Sequence, residues 1–206
     1  MPDSEIEVFK KNFFDLPSRS FGENYMQKLF YNKYNELPYK GYEVDAYKQN
    51  ISESGETFVL KGEYKSVRLL FENEKSDSSC LYDEISDNKP MSRRIASLEN
   101  LKAGDVSANF QNIKCDESGR FDFDYLRFAL ASEEGVYVFE ITCENMMSLI
   151  ENGEFPNWCS KHGSKESGLN GQFTITKDNI NWHMKNTFRE IISWEEVISI
   201  FKSIKS

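Results

Sequence analysis

The chain has 206 residues with 39% hydrophobic, 14% aromatic and 29% charged side chains, which places it in the globular range and leaves room for one well-packed domain. Twenty-five basic against 34 acidic residues give a net charge of −9, which argues against bulk electrostatic coating of nucleic acid or anionic membrane but leaves a local basic face open. The four cysteines (Cys80, Cys115, Cys143 and Cys159) form no CxxC or CxxH pair, so they read as reduced thiols rather than a zinc site.

In chain order, the N-terminal stretch lacks the pattern of a signal peptide, and no run approaches the ~20 apolar residues a membrane span needs. A soluble cytoplasmic protein is the expectation. Tyr25, Met26, Leu29, Phe30 and Tyr34 recur at helical spacing and predict an amphipathic helix over Phe21–Tyr34, with Glu23 in its first turn. Glu43–Tyr47 and Thr57–Phe71 read as strands, with a turn at Gly55. Residues 72–88 are polar and aperiodic, a loop or insertion. Pro90–Leu101 predicts a short helix carrying Arg93 and Arg94.

Val106–Ile113, Phe123–Ala131 and Val136–Ile141 are strand-like, the last apolar on both faces as in a strand covered on both sides. Glu144–Asn152 predicts a helix ended by Gly153, Lys161–Gly171 a glycine-rich loop, and Gln172–Thr176 a strand. A helix carrying Val197, Ile198, Phe201 and Ile204 follows a capping box at Ser193 and Glu196. The fold class is therefore α/β (α+β), with a mixed central β-sheet flanked by helices.

The stretch with chemistry is Gly62-Glu63-Tyr64-Lys65-Ser66-Val67-Arg68. Alternation along a strand puts Glu63 and Lys65 on one face and Tyr64 and Ser66 on the other. With Asp45 on a neighbouring strand, two carboxylates and a lysine converge. Such a trio suits a hard divalent cation and a phosphate carrying transition-state charge. By itself an E-x-K triplet more often marks a solvated strand face.

The order of these segments adds to the triplet. Phe21-Gly22-Glu23 opening a helix, Asp45-Ala46, and Glu63-Tyr64-Lys65-Ser66-Val67-Arg68 together resemble the PD-(D/E)XK nuclease superfamily, and within it type II restriction endonucleases. Asn109–Lys114, Phe123–Leu126, Lys161-His162-Gly163, Gly171–Ile175 and Asn179-Ile180 are similar to further elements of that group, so the resemblance runs in order from about Ser20 to Ser193. Two departures stand out: Val44 occupies the proline position of the motif, and Val67 separates Ser66 from Arg68.

The resemblance implies a restriction-endonuclease-like core and Mg2+-dependent, sequence-specific hydrolysis of double-stranded DNA, with a homodimer as the working unit and no membrane or organic cofactor. A single nuclease domain over 1–206 would hold its catalytic core at about 20–142, with 143–206 contributing to DNA recognition or dimerisation. Asp45 and Glu63 would be the metal ligands, with Glu43 as a rival, and Lys65 the catalytic lysine. Glu23 would be a supporting acid and Gln111 a contact for the lysine or the phosphate. Ser66, Arg68, Arg93, Arg94, Lys114, Lys161, His162 and Lys165 are the candidate DNA contacts.

The charge distribution leaves room for this, since residues 156–206 carry seven basic and five acidic groups, net +2, while the rest carries −11. Lys61, Arg120 and Arg127 are further cations that could line one cleft. Two alternatives stay open: another nuclease of the same fold in repair or mobile-element processing, and a non-catalytic acidic DNA mimic.

Overall fold

The computed structural model describes residues 4–38, 44–52, 54–71, 94–115, 120–162 and 169–204. Glu43, Arg93, Lys165, the polar stretch 72–88 and the start of the helix expected at Pro90 lie outside them. The chain begins with a helix the sequence reading did not assign, α1 (Glu5–Phe14), whose N-cap Ser4 accepts from the Glu7 amide. The helix expected from Phe21 is present but compound: a π-helical segment, Ser20–Met26, runs directly into α2 (Gln27–Tyr34), which ends at Asn35 in a left-handed conformation.

Strands β1 (Leu37–Pro38), β2 (Ala46–Ile51), β3 (Thr57–Arg68), β5 (Tyr125–Ala131), β6 (Gly135–Thr142) and β9 (Phe188–Ser193) form a six-stranded sheet in the order β1-β2-β3-β5-β6-β9. Its one parallel pair is β3 with β5; the other pairs are antiparallel, so the central sheet is mixed as expected. Strands β4 (Ala108–Lys114), β7 (Cys159–His162) and β8 (Leu169–Ile175) make a separate three-stranded sheet in the order β4-β8-β7. The run at 106–113 is a strand, as expected, and lies in this small sheet. One expectation is corrected here: both ends of the stretch read as a glycine-rich loop at 161–171 are strands, because they pair with one another and with β4. The helix expected at Pro90–Leu101 also starts later: Ile95 bridges to Leu70 in extended form, and α3 (Leu98–Ala103) begins after its N-cap Ser97, which forms a capping box with Asn100.

Helices α4 (Cys143–Glu151), α5 (Ile180–Asn186) and α6 (Trp194–Ile204) complete the fold. The layers follow from the period of β5, which is buried along its whole length. Leu126, Phe128 and Leu130 join Phe110, Phe173, Leu101, Met146 and Ile180 in one core cluster, under the small sheet, α3, α4 and α5. Tyr125, Ala129 and Ala131 join Phe13, Phe14, Leu29, Phe30 and Val197 in the other, under α1, α2 and α6. Each fully buried large apolar side chain contributes about 1.5–3 kcal/mol, so both faces of β5 stabilise the fold. β3 lies beside β5 with one face toward each layer, and the polar residues of interest are at the β2–β3 junction.

Candidate active site

Asp45 immediately precedes β2, and its main-chain N–H donates to the Gly62 carbonyl at 3.0 Å, extending the β2–β3 pairing by one residue. Gly62 is required there: a Cβ would come within 2.4 Å of the Tyr125 ring. This pairing brings the Asp45 carboxylate onto β3, where its Oδ2 accepts from the Tyr64 N–H at 2.7 Å. Its Oδ1 accepts from Nε2 of Gln27 on α2 at 2.8 Å, and the Tyr31 hydroxyl donates to the Asp45 carbonyl at 2.8 Å. One turn of helix thus holds Asp45 from behind.

Glu63 is only 2% exposed, and its Oε1 lies 2.6 Å from Nζ of Lys65, two residues along the same strand face. Asp45, Lys65, Ser66, Tyr64, Gly22, Glu23, Gln27, Gln111 and Asn112 are among the residues around an open cavity of about 300 Å³. The chain thus joins the sequence-predicted trio and borders it with residues from the π-helical segment and from β4.

Electrostatics mark the same place. Burial pushes both carboxyl groups above the usual carboxylate range; the charge of Asp45 adds to the rise at Glu63, and that of Glu23 to the rise at Asp45. Lys65 counters this most, and Lys114 adds a smaller opposing effect on both acids. The buried Glu63 and the half-buried Asp45, with one ammonium paired to Glu63, form a site that favours an additional cation. Burial, followed by the charges of Asp45 and Glu36, also pushes the Tyr31 hydroxyl up to about 12.

The remaining candidates separate. Glu23 borders the cavity but is exposed and pairs with Arg19 at 2.8 Å, four residues back along the helical segment. Ser66 lines the wall under Gly22, where a Cβ would sit 3.8 Å from its Oγ. Arg68 is engaged by the chain itself: it donates to the carbonyls of Phe14 at 2.7 Å and Leu16 at 2.6 Å and to Ser18 Oγ at 3.0 Å, and it covers the Phe21 ring. That geometry clamps the end of α1 to β3 and gives no support to a DNA contact. Arg94 has a buried Nε without a hydrogen-bond partner among the described residues, and its carbonyl accepts from the Phe71 amide. Lys161 and His162 stand in β7, in register with Asn170 and Leu169. Gln111 lines the cavity without a hydrogen bond to Lys65.

Arg127 is corrected outright, because a side chain 1% exposed cannot line a cleft. It makes a two-pronged pair with Glu36 at 2.6 and 2.9 Å, contacts Glu140 at 2.5 Å and sits 3.9 Å from the centre of the Tyr34 ring. The Tyr64 hydroxyl donates to the same Glu36, so this buried network anchors β3 behind the cavity. Gln27, Tyr31 and Glu36 were not singled out from sequence. The available signal was the four-residue spacing of Glu23, Gln27 and Tyr31, which places them along one helical face.

Among the described residues, no group of three or more His, Cys, Asp or Glu side chains comes together. No described helix is long and apolar enough to cross a membrane. No family model, curated protein or solved structure matches the chain.

Proposed function

We propose that this chain is a Mg2+-dependent endonuclease of the type II restriction class, with a restriction-endonuclease-like core, hydrolysing phosphodiester bonds in double-stranded DNA. The observation that carries the reading is the juncture of Asp45, Glu63 and Lys65: one carboxylate bonded to the main chain of β3, the other ion-paired to the lysine, beside one open cavity. A Glu63 only 2% exposed is also the opposite of what a DNA mimic requires, which is carboxylates displayed to solvent.

The donor set fits Mg2+, which is held by one or two carboxylates and completes its shell with water and substrate phosphate oxygens. Asp45 and Glu63 would hold it, and when bound it would neutralise charge developing on the phosphate. The protein's own part is positioning. Gln27 and the Tyr64 amide fix the Asp45 carboxylate, leaving each oxygen lone-pair capacity toward the cavity. Glu63 orients the Lys65 ammonium, which can donate to a phosphate oxygen or to the attacking water. Cutting both strands of a palindromic site requires two such sites related by a twofold axis, hence a homodimer.

The test is digestion of unmethylated plasmid with Mg2+. The wild-type chain should give discrete bands, and Lys65→Ala should still shift DNA in a gel while losing at least about 100-fold in cleavage rate. A Lys65→Ala protein that cuts at the wild-type rate would overturn the reading. A smear, or nicking at branches only, would transfer it to the repair and mobile-element nucleases.

A further inference from the structure

The cavity wall contributed by β4 carries a feature that hydrolysis does not need. Between the pairs Phe110↔Phe173 and Ile113↔Gly171 the register of β4 and β8 shifts, so Gln111 and Asn112 together oppose the single residue Gln172. Such a two-against-one bulge redirects side chains, and Asn112 accordingly adopts φ 58°, in the left-handed region that asparagine tolerates better than most residues. The bulge is anchored on both sides: Phe110 is 1% and Ile113 0% exposed, and the Phe110 ring stacks on Phe173 at 5.0 Å. A rigid frame therefore presents two exposed amides on the same cavity as Asp45 and Lys65. Neither amide forms a side-chain hydrogen bond to another described residue.

Their chemistry selects among ligands. A phosphate offers only acceptors and is better met by the ammonium already present; an amide there would leave its oxygen unused. A carboxamide matches an edge that presents a donor beside an acceptor, and in the DNA major groove that is adenine, with N6 as donor and N7 as acceptor. Guanine presents two acceptors and would leave the amide oxygen unmatched.

Building on the endonuclease reading above, we propose that Gln111 and Asn112 are specificity-determining residues that read an adenine edge next to the scissile phosphate. The bulge would couple the base read to the bond cut, since both lie on one cavity.

The experiment is selection of bound duplexes from a randomised library in Ca2+, using the wild-type chain, Gln111→Glu and Asn112→Asp, followed by sequencing. Both substitutions keep size and shape while converting a donor–acceptor amide to an acceptor-only group, which suits cytosine N4 instead. The expected result is wild-type enrichment of adenine at a fixed position, reduced about 10- to 100-fold in at least one variant, with cytosine gaining there. Variants that select the same bases as wild type would overturn the proposal, as would a wild-type chain that selects no base. Plasmid cleavage by the same preparations separates the two readings: cutting with unchanged base preference removes the base-reading role alone, whereas no cutting by the wild-type chain removes the endonuclease as well.

Discussion

Asp45 illustrates how single residues set the behaviour of this site. Its carboxyl group and that of Glu63 are both raised above the ordinary carboxylate value, chiefly by burial, with a further rise from Glu23 at Asp45 and from Asp45 at Glu63. The native state therefore holds these protons more tightly than the unfolded chain, and over the window from about pH 4 upward, where the unfolded carboxyls have already ionised, stability falls as pH rises. Urea titrations across that window should show the decline without divalent cation and its reduction with Mg2+ present. Asp45→Asn should flatten the decline and leave the apoprotein at least as stable as wild type at neutral pH, while abolishing cleavage. An unchanged slope in Asp45→Asn would show that the acidic pair does not control it.

At the scale of elements, two buried polar groups tie helices and strands together in opposite ways. Arg127 on β5 joins Glu36, which follows α2, to Glu140 on β6, and Tyr64 on β3 shares the same acid. Arg127→Met leaves Glu36 buried with the Tyr64 hydroxyl but without its countercharge and should cost about 3–5 kcal/mol in chemical denaturation, and adding Glu36→Gln should recover part of the loss. His183 on α5 is fully buried among Phe128, Phe139, Phe155 and Phe173, and its Nε2 has no hydrogen-bond partner among the described residues. Burial lowers it from 6.5 to about 4. The unfolded chain takes up this proton first, so stability falls as pH drops from about 6.5 toward about 4, the reverse of the acidic pair. His183→Phe should remove that acid sensitivity, measured as a flatter midpoint against pH, without lowering stability at neutral pH.

For the whole molecule, the proposed endonuclease function would require a net charge of −9 to coexist with a polyanionic substrate. Counterion release makes log K fall with log salt by about 0.9 for each phosphate neutralised. Lys65→Ala and Lys114→Ala should each lower that slope by about one in filter-binding titrations, because both cations act at the acidic site. A slope unchanged in both variants would show that neither lysine meets a phosphate. The division of labour between layers supports this expectation: the six-stranded sheet supplies the acids and Lys65, and the small sheet supplies Lys114, Gln111 and Asn112.

Much of this was legible in order along the chain. A β-rich run after the turn at Gly55 exposed the strand carrying Glu63 and Lys65, and 3.6-residue spacing exposed the helical stretch around Met26 and Phe30, because both signals are local. What sequence could not supply was pairing. Neither strand β9 nor the separation of β4 into a second sheet can be read along the chain, since an apolar run does not name its neighbour. Arg127 reads in sequence like any surface cation, and only the arrival of Glu36 from 91 residues away turns it into a buried anchor. The sequence by itself determined the chemical types available and their order. Tertiary structure decided which of them meet: Asp45 joins Glu63 because Gly62 lets β2, β3 and Tyr125 approach closely, and the β4 amides reach the same cavity only through a bulge in a second sheet.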